Sequence, residues 1–241
     1  MSIFQPHEVR WDEEKLAHFW DFFSGQGRVF DDWYFSRAYG DAIISYVKKR
    51  VPICGEVLDF GCGPGHLMEH LINKGIACSG LDFSGSSVTE VKKKFGNNPL
   101  FHGALAVKSL PSALPDASQD IIFFIETIEH LLPEHLESTL KEFFRLLKPG
   151  GIIVITTPHD ENLNAKKVIC PDCGAIFHRV EHLRSYTVPS LKELFGHHGF
   201  SAISAEATTF RAPSWFNLIR KLRDARKQTK QPHLIYIGEK K

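Results

Sequence analysis

A chain of 241 residues, 43% hydrophobic and 24% charged, carries enough apolar material for one globular domain with modest insertions. A net charge of +1 argues against a strongly electrostatic nucleic-acid binder, and no apolar run approaches the roughly 18 residues of a membrane span. The first eight residues lack a basic region followed by an apolar core, and five cysteines, an odd number, suit a reducing cytoplasm better than a disulfide framework.

In chain order, residues 11–50 read as aromatic-rich helix. Trp11, Leu16, Phe19, Trp20 and Phe23 share a stripe, Gly25-Gln26-Gly27 breaks it, and Ile43, Ile44 and Val47 resume helical spacing. A helical cap is expected over residues 1–50 and a second unit over residues 51–241. Val57 and Leu58 form a strand, followed by a glycine-rich turn and by Leu67, Leu71 and Ile72 at helical spacing. A second strand over residues 75–82 ends in Asp82. Ser84 caps a helix through Val88, Val91 and Phe95, and a short third strand covers residues 100–103. Residues 119–125 are apolar almost throughout, as in a strand covered on both faces. They run into Glu126-Thr127-Ile128-Glu129-His130. A helix over residues 131–147 admits Pro133 in its first turn. A Lys148-Pro149-Gly150-Gly151 turn and a strand over residues 152–156 follow. The pattern closes with a helix over residues 188–198 and strands over residues 201–209 and 234–238. Strand–helix alternation of this kind predicts an α/β, doubly wound, mostly parallel sheet. Two stretches stand outside it: a hairpin at 159–186 and a basic helix at 211–231.

The chemistry gathers at the first glycine turn. Glycines let a backbone approach a ligand closely, and a helix N-terminus behind them offers free N–H groups. A dinucleotide fingerprint would need a third glycine where His66 stands, and a phosphate-binding P-loop would need Gly-Lys-Ser/Thr, which is absent. What stands there is Asp59-x-Gly61-x-Gly63-x-Gly65, with Asp82 21 residues after Gly61. An acid so spaced accepts hydrogen bonds from both ribose hydroxyls of a cofactor without a 2′-phosphate.

That combination resembles motif I of the class I S-adenosylmethionine-dependent methyltransferases. Residues 146–158, Leu-Leu-Lys-Pro-Gly-Gly-x-x-x-Ile-x-Thr-Pro, are similar to a further family stretch. Glu126-x-x-Glu129-His130 resembles the ubiquinone-biosynthesis O-methyltransferases and, more loosely, the small-RNA 2′-O-methyltransferases. The resemblance implies a seven-stranded sheet in the order 3-2-1-4-5-7-6, with the last strand antiparallel. It also implies S-adenosylmethionine held by Asp59, Gly61, Cys62, Gly63 and Gly65, with Asp82 on the ribose and Phe83 beside it. The family often has an acid after the third strand to meet the adenine. It is missing here, so backbone groups near Ala104 are expected to substitute. Arg37 resembles an arginine set against the cofactor carboxylate, and Ile125 and Glu126 are expected to face the methyl group. The implied activity is methyl transfer to an oxygen of a small molecule of quinone-ring, lipid-linked or sugar type. RNA 2′-O-methylation is the alternative among enzymes, and a non-catalytic cofactor-binding module the alternative outside them.

An oxygen acceptor must lose a proton, and His130 and Glu126 are the first candidates for that step, with Glu129, His159 and His182 behind them. A helix begun at Glu126 would place Glu126, Glu129 and His130 on one face. In the small-RNA enzymes the matching acids and histidine bind a metal with one further histidine, and His182 is the best match to it. Separately, Cys170-x-x-Cys173, His178 and His182 have ligand types that suit tetrahedral zinc, in competition for His182. Residues 214–230 alternate apolar and basic side chains, which suits either a membrane surface or a packed helix with a solvated basic face.

Overall fold

The computed structural model describes residues 4–25, 34–210 and 233–241. The expected basic helix at 214–230 lies outside them, as do Gln26 and Gly27 of the expected break. The main sheet contains β2 (Val57–Phe60), β3 (Cys78–Asp82), β4 (Phe101–Ala106), β5 (Gln119–Ile125), β6 (Leu147–Pro158), β9 (Phe200–Thr208) and β10 (His233–Lys240). Its order is β4-β3-β2-β5-β6-β10-β9, and only β10 runs antiparallel to its neighbours. Counted along the chain within the sheet, this is 3-2-1-4-5-7-6, the expected methyltransferase topology.

Alternation explains the continuous apolar strands. In β5, Ile121, Phe123 and Ile125 join one core with Ile43, Ile44 and Val47 of α2 (Phe35–Lys48), Leu67 and Leu71 of α3 (His66–Asn73), and Val91 of α4 (Gly85–Phe95). Ile122 and Phe124 point the other way, toward Leu140 and Phe143 of α5 (Pro133–Leu146) and Leu191 and Phe195 of α6 (Val188–His197). The helix expected within the N-terminal cap, α2, is thus part of the sheet's own core. It approaches α3 closely because Gly40 has no side chain. A Cβ there would stand 2.3 Å from the His70 ring.

The remaining strands form a second, three-stranded sheet, of which the sequence announced the hairpin but not its third strand. β7 (Lys167–Ile169) and β8 (Ala175–His178) make the hairpin of the expected insertion, and β1 (His7–Glu8) adds parallel to β8. The hairpin turn is closed by Cys170 N–H donating to the Ala175 carbonyl at 2.8 Å and Gly174 N–H to Cys170 at 2.9 Å. α1 (Glu13–Gly25) follows β1 and brings Trp11 and Trp20 over the insertion, with Trp11 packed edge-on to Phe177. Among the described residues no helix is long and apolar enough to cross a membrane.

Candidate active site

The first half of the site is the turn between β2 and α3. Gly61, Gly63 and Gly65 have φ of +77°, +48° and +81°, the left-handed region that side chains avoid. Close packing adds a second reason at Gly65, where a Cβ would stand 2.8 Å from the Phe95 ring. Gly61 and Cys62 N–H groups donate to the Leu81 carbonyl at 2.7 and 3.1 Å, which ties the loop to β3. Asp82 at the end of β3 accepts from Gly63 N–H at 2.7 Å and Ser84 N–H at 2.8 Å. Burial raises its pKa, and these donors oppose the rise. Asp59 is 2% exposed and its Oδ2 has no partner. Burial and the Asp82 charge push its carboxyl up to about 8. A glycine-rich loop beside one anchored and one orphaned carboxyl fits a ligand presenting several O–H and N–H donors, as the ribose and amino acid ends of S-adenosylmethionine do.

Other expected cofactor residues fall around this loop. The Cys62 side chain is buried, its Sγ 2.9 Å from where a Gly80 Cβ would stand, and its N–H and carbonyl are engaged by Leu81 and Gly65, so it shapes the loop from within. Phe83 is 42% exposed and stacks on His135 at 6.4 Å. Arg37 sits exposed in the first turn of α2, its N–H on the Tyr34 carbonyl. The Tyr34 ring comes within 3.4 Å of a Cβ position on Gly63, and this aromatic wall had no sequence signal beyond its composition. Ala104 needs correction. The third strand does not stop at Gly103, whose φ of +111° is absorbed beside a register shift, and Ala104 pairs mid-strand with Gly80. Ala106 is level with Asp82, and Val107 N–H donates to the Asp82 carbonyl at 3.0 Å. The strand position level with Asp82 is therefore two residues later than Ala104.

The second half lies at the carboxyl end of β5. Ile125 is buried, and Glu126 turns the chain with φ of +49°. The expected helix beginning at Glu126 does not form. A single 3-10 turn spans Ile128–His130, and α5 begins only at Pro133. Glu126 therefore leaves the expected shared face: its Oε2 meets His233 Nδ1 at 3.1 Å, and its Oε1 is buried without a partner. Thr127 adjoins the glycine loop, its Oγ1 3.1 Å from a Cβ position on Gly61. Glu129 is 1% exposed. Burial and the Glu126 charge push its carboxyl up to about 8, with His130 opposing.

The insertion completes this half. Leu183 N–H donates to the Glu129 carbonyl at 2.9 Å, and the Arg184 guanidinium donates to that of Leu131. His130 Nδ1 lies 3.0 Å from Glu181 Oε2, which also accepts from Trp20 Nε1 at 3.1 Å. Burial alone would lower the His130 pKa, but the Glu181 and Glu129 carboxylates raise it to about 9. His182 bonds through Nδ1 to Glu161, and its ring packs edge-on to His130 at 4.8 Å. Burial would raise the Glu161 pKa, but bonds from His182 and Lys166 hold it down at about 2. Ligand-type atoms of Glu129, His130 and His182 lie within 4.8 Å of one another. His159 is elsewhere, its backbone bridged to that of Tyr186. Neither Glu161 nor Glu181 belonged to a recognisable pattern. The histidines between and beside them were the only signal.

The expected zinc set of Cys170, Cys173, His178 and His182 does not assemble. The cysteines occupy the hairpin turn, whereas His178 sits at the far end of extended β8, paired with Lys167. His178 Nδ1 accepts the His182 N–H at 3.0 Å, so its proton is on Nε2, 3.7 Å from Glu161. Among the described residues, His178 and His182 group with Glu161 and not with either thiol.

The sheet order, the left-handed glycine loop and the acid at the end of the next strand define an S-adenosylmethionine-binding domain of the class I type. A family model described as a methyltransferase domain matches residues 9–205, and the chain belongs to that family. It is 30% identical over 167 residues to a Mycolicibacterium smegmatis protein named "Probable S-adenosylmethionine-dependent methyltransferase", covering 63% of each chain. It is also 30% identical over 135 residues to a ubiquinone biosynthesis O-methyltransferase of Chromobacterium violaceum, covering 55% of this chain and 56% of that one. The chain thus spans less than two thirds of the length of either curated relative. Among solved structures, it is similar in fold to the Burkholderia thailandensis 1,6-didemethyltoxoflavin-N1-methyltransferase bound to its acceptor and S-adenosylhomocysteine. The TM-score is 0.64 at 18% identity, over 98% of this chain and 93% of that one. A methyltransferase solved with the Haloferax volcanii Trm112 activator aligns over 93% of this chain and 96% of its own, with a TM-score of 0.64 at 19% identity.

Proposed function

We propose that the protein transfers the sulfonium methyl of S-adenosylmethionine to an oxygen of a small-molecule acceptor. The observation that carries this reading is the cluster of Glu129 and His130, on the turn after β5 that also carries Thr127 against the glycine loop, with His182 of the insertion. Ligands of doubly wound sheets sit at the carboxyl ends of strands near the switch in strand order, and β2 and β5 flank that switch. The sulfonium is already activated, so the chain's work is to align the acceptor, exclude water and relieve the acceptor of its proton. Two partly buried imidazoles beside a carboxylate are placed for that last task, which a hydroxyl acceptor needs most. Burial lowers the His182 pKa and favours its neutral, proton-accepting form. At His130 burial is outweighed by the Glu181 and Glu129 carboxylates, which make it the stronger base, available as pH rises toward about 9.

The cluster also fits a divalent cation of the kind the small-RNA resemblance implies. Glu129 is buried with neither carboxylate oxygen hydrogen-bonded, and His130 and His182 each have Nδ1 on a carboxylate and Nε2 left over. A cation held there by Glu129, His130 and His182 would lower the pKa of an acceptor hydroxyl. His130 and Glu129 fix that acceptor atom's surroundings, Glu126 Oε1 offers a further buried acceptor beside them, and Trp20 covers the His130 ring at 4.9 Å.

The experiment is S-adenosylhomocysteine formation with paired hydroxyl and amine acceptors on the same ring. Turnover is expected with the hydroxyl series. His130→Ala should lower it by about 10²-fold or more while S-adenosylhomocysteine affinity stays near wild type. Turnover with amines alone, or a His130→Ala enzyme as fast as wild type, would sink the reading.

A further inference from the structure

Two partly buried imidazoles in this molecule are held by the same device. His130 Nδ1 lies 3.0 Å from Glu181 Oε2 and 3.2 Å from the Glu181 carbonyl. His182 Nδ1 bonds Glu161 Oε2. An ionised carboxylate or a carbonyl only accepts, so Nδ1 donates in each ring, and Nε2 is the nitrogen these acceptors leave uncontacted. His130 Nε2 is 4.0 Å from Glu129 Oε1, and the two rings meet edge-on. His178, four residues before His182, shows the contrast: its Nδ1 accepts a backbone N–H, so its Nε2 keeps the proton and faces Glu161 at 3.7 Å.

We infer that Glu161 and Glu181 are positioning residues that fix the tautomers of His182 and His130 so that both Nε2 atoms and Glu129 form one divalent-cation site. The inference rests on the cation-binding part of the function proposed above. Each acid is itself held. Glu161 is bonded by Lys166, and its N–H donates to Ser185 Oγ at 2.6 Å. Glu181 has φ of +59°, is fully buried and accepts from Trp20 on α1. Outer carboxylates of this kind orient a ligating imidazole and raise its basicity. Their position is telling: both come from the 159–186 segment, whereas Glu129 and His130 come from the turn after β5. The insertion therefore supplies one ligand and the orientation of two.

The test uses the full chain and Co2+ alone as probe, read by calorimetry and by the visible absorption of the bound ion. Wild type should bind one Co2+ per chain, and Glu129→Gln should lose it. Glu161→Met and Glu181→Met, similar in length but without an acceptor, should bind about 10- to 100-fold more weakly. Glu161→Gln and Glu181→Gln, which keep an acceptor oxygen, should lie between. A buried substitution can disturb folding, so a metal-free readout is added: imidazole 15N shifts. These should report the Nδ1–H tautomer for His182 in wild type and a shift toward Nε2–H in Glu161→Met. Wild-type Co2+ affinity in both Met variants, or an Nε2–H tautomer of His182 in wild type, overturns the inference. Failure of wild type to bind Co2+ while S-adenosylhomocysteine still forms also overturns it, and leaves the methyl-transfer reading standing.

Discussion

Replacing Asp59 by Asn tests the electrostatics of the glycine loop without disturbing its shape. Asp59 is 2% exposed, its Oδ2 has no partner, and burial together with the Asp82 charge holds its pKa at about 8. In the unfolded chain an aspartate titrates near 3.9, so between about pH 4 and pH 8 the folded protein keeps a proton that the unfolded chain has lost. A raised folded pKa contributes stability at low pH that is lost as pH rises through that window. The slope is about 1.4 kcal/mol per pH unit, or roughly 2.7 kcal/mol between pH 5 and pH 7. Asn is nearly isosteric with the protonated acid and has no proton to lose. At pH 5 the variant should match wild type within about 1 kcal/mol, and by pH 7 it should have gained roughly 2–3 kcal/mol relative to it. Urea unfolding of cofactor-free protein at pH 5, 6 and 7 measures this. The other buried acids titrate in both proteins, so only the difference between the two curves matters. Parallel curves would show that Asp59 is ionised in the folded state and that the loop's root is far better solvated or paired than its geometry indicates.

The same loop carries two further expectations. Asp82→Ala removes the acceptor at the end of β3, and S-adenosylhomocysteine binding should weaken by roughly 1.5–3 kcal/mol by calorimetry. Gly65→Ala forces a side chain onto a φ of +81° and against Phe95, so its thermal midpoint should fall by an amount equivalent to about 1–3 kcal/mol. The cysteines should separate under limited alkylation followed by peptide mass spectrometry. Cys170 lies in an open turn, and bonds from the Cys173 and Asp172 N–H groups and the Cys173 thiol lower its pKa. Cys62 and Cys78 are buried, and burial pushes both thiols up, that of Cys78 to about 12. Cys170 should label in the folded protein and the buried pair only after unfolding.

The scaffold was legible because its signals are local and repeated. Apolar runs at 57–60 and 119–125, glycines at 61, 63 and 65, and Ser84 before its helix each state their own conformation. The sequence fails where a short segment is decided by contacts. Glu126-x-x-Glu129-His130 has helical spacing, yet the backbone turns left-handed at Glu126 so that its N–H can reach the Thr156 carbonyl at 2.9 Å. Gly103 looks like a strand end and is an irregularity inside a longer strand. The cysteine–histidine spacing suggested one tetrahedral centre. Four extended strand residues span about 10 Å, which separates His178 from the knuckle. β1 is two residues long, too short to carry any period.

These failures have a common location. Every misjudged position that concerns the acceptor lies in the turn after β5 or in the 159–186 segment. The glycine loop and its two acids, by contrast, lie on the sheet or in the turn directly after β2. The cofactor half is specified by backbone: left-handed glycines, N–H groups and strand ends, which a single stretch can encode. The half proposed for the acceptor is built by side chains from three separated segments, Trp20 on α1, Glu129 and His130 after β5, and Glu161, Glu181 and His182 in the insertion. Loops carried on a rigid scaffold change more readily than the scaffold does. The O-methyltransferase among the relatives and the N1-methyltransferase among similar folds fit that division, since one cofactor platform serves acceptors of different chemistry. Substitutions within 159–186 should therefore alter acceptor preference while leaving S-adenosylhomocysteine affinity in place, and substitutions at Asp82 should do the reverse.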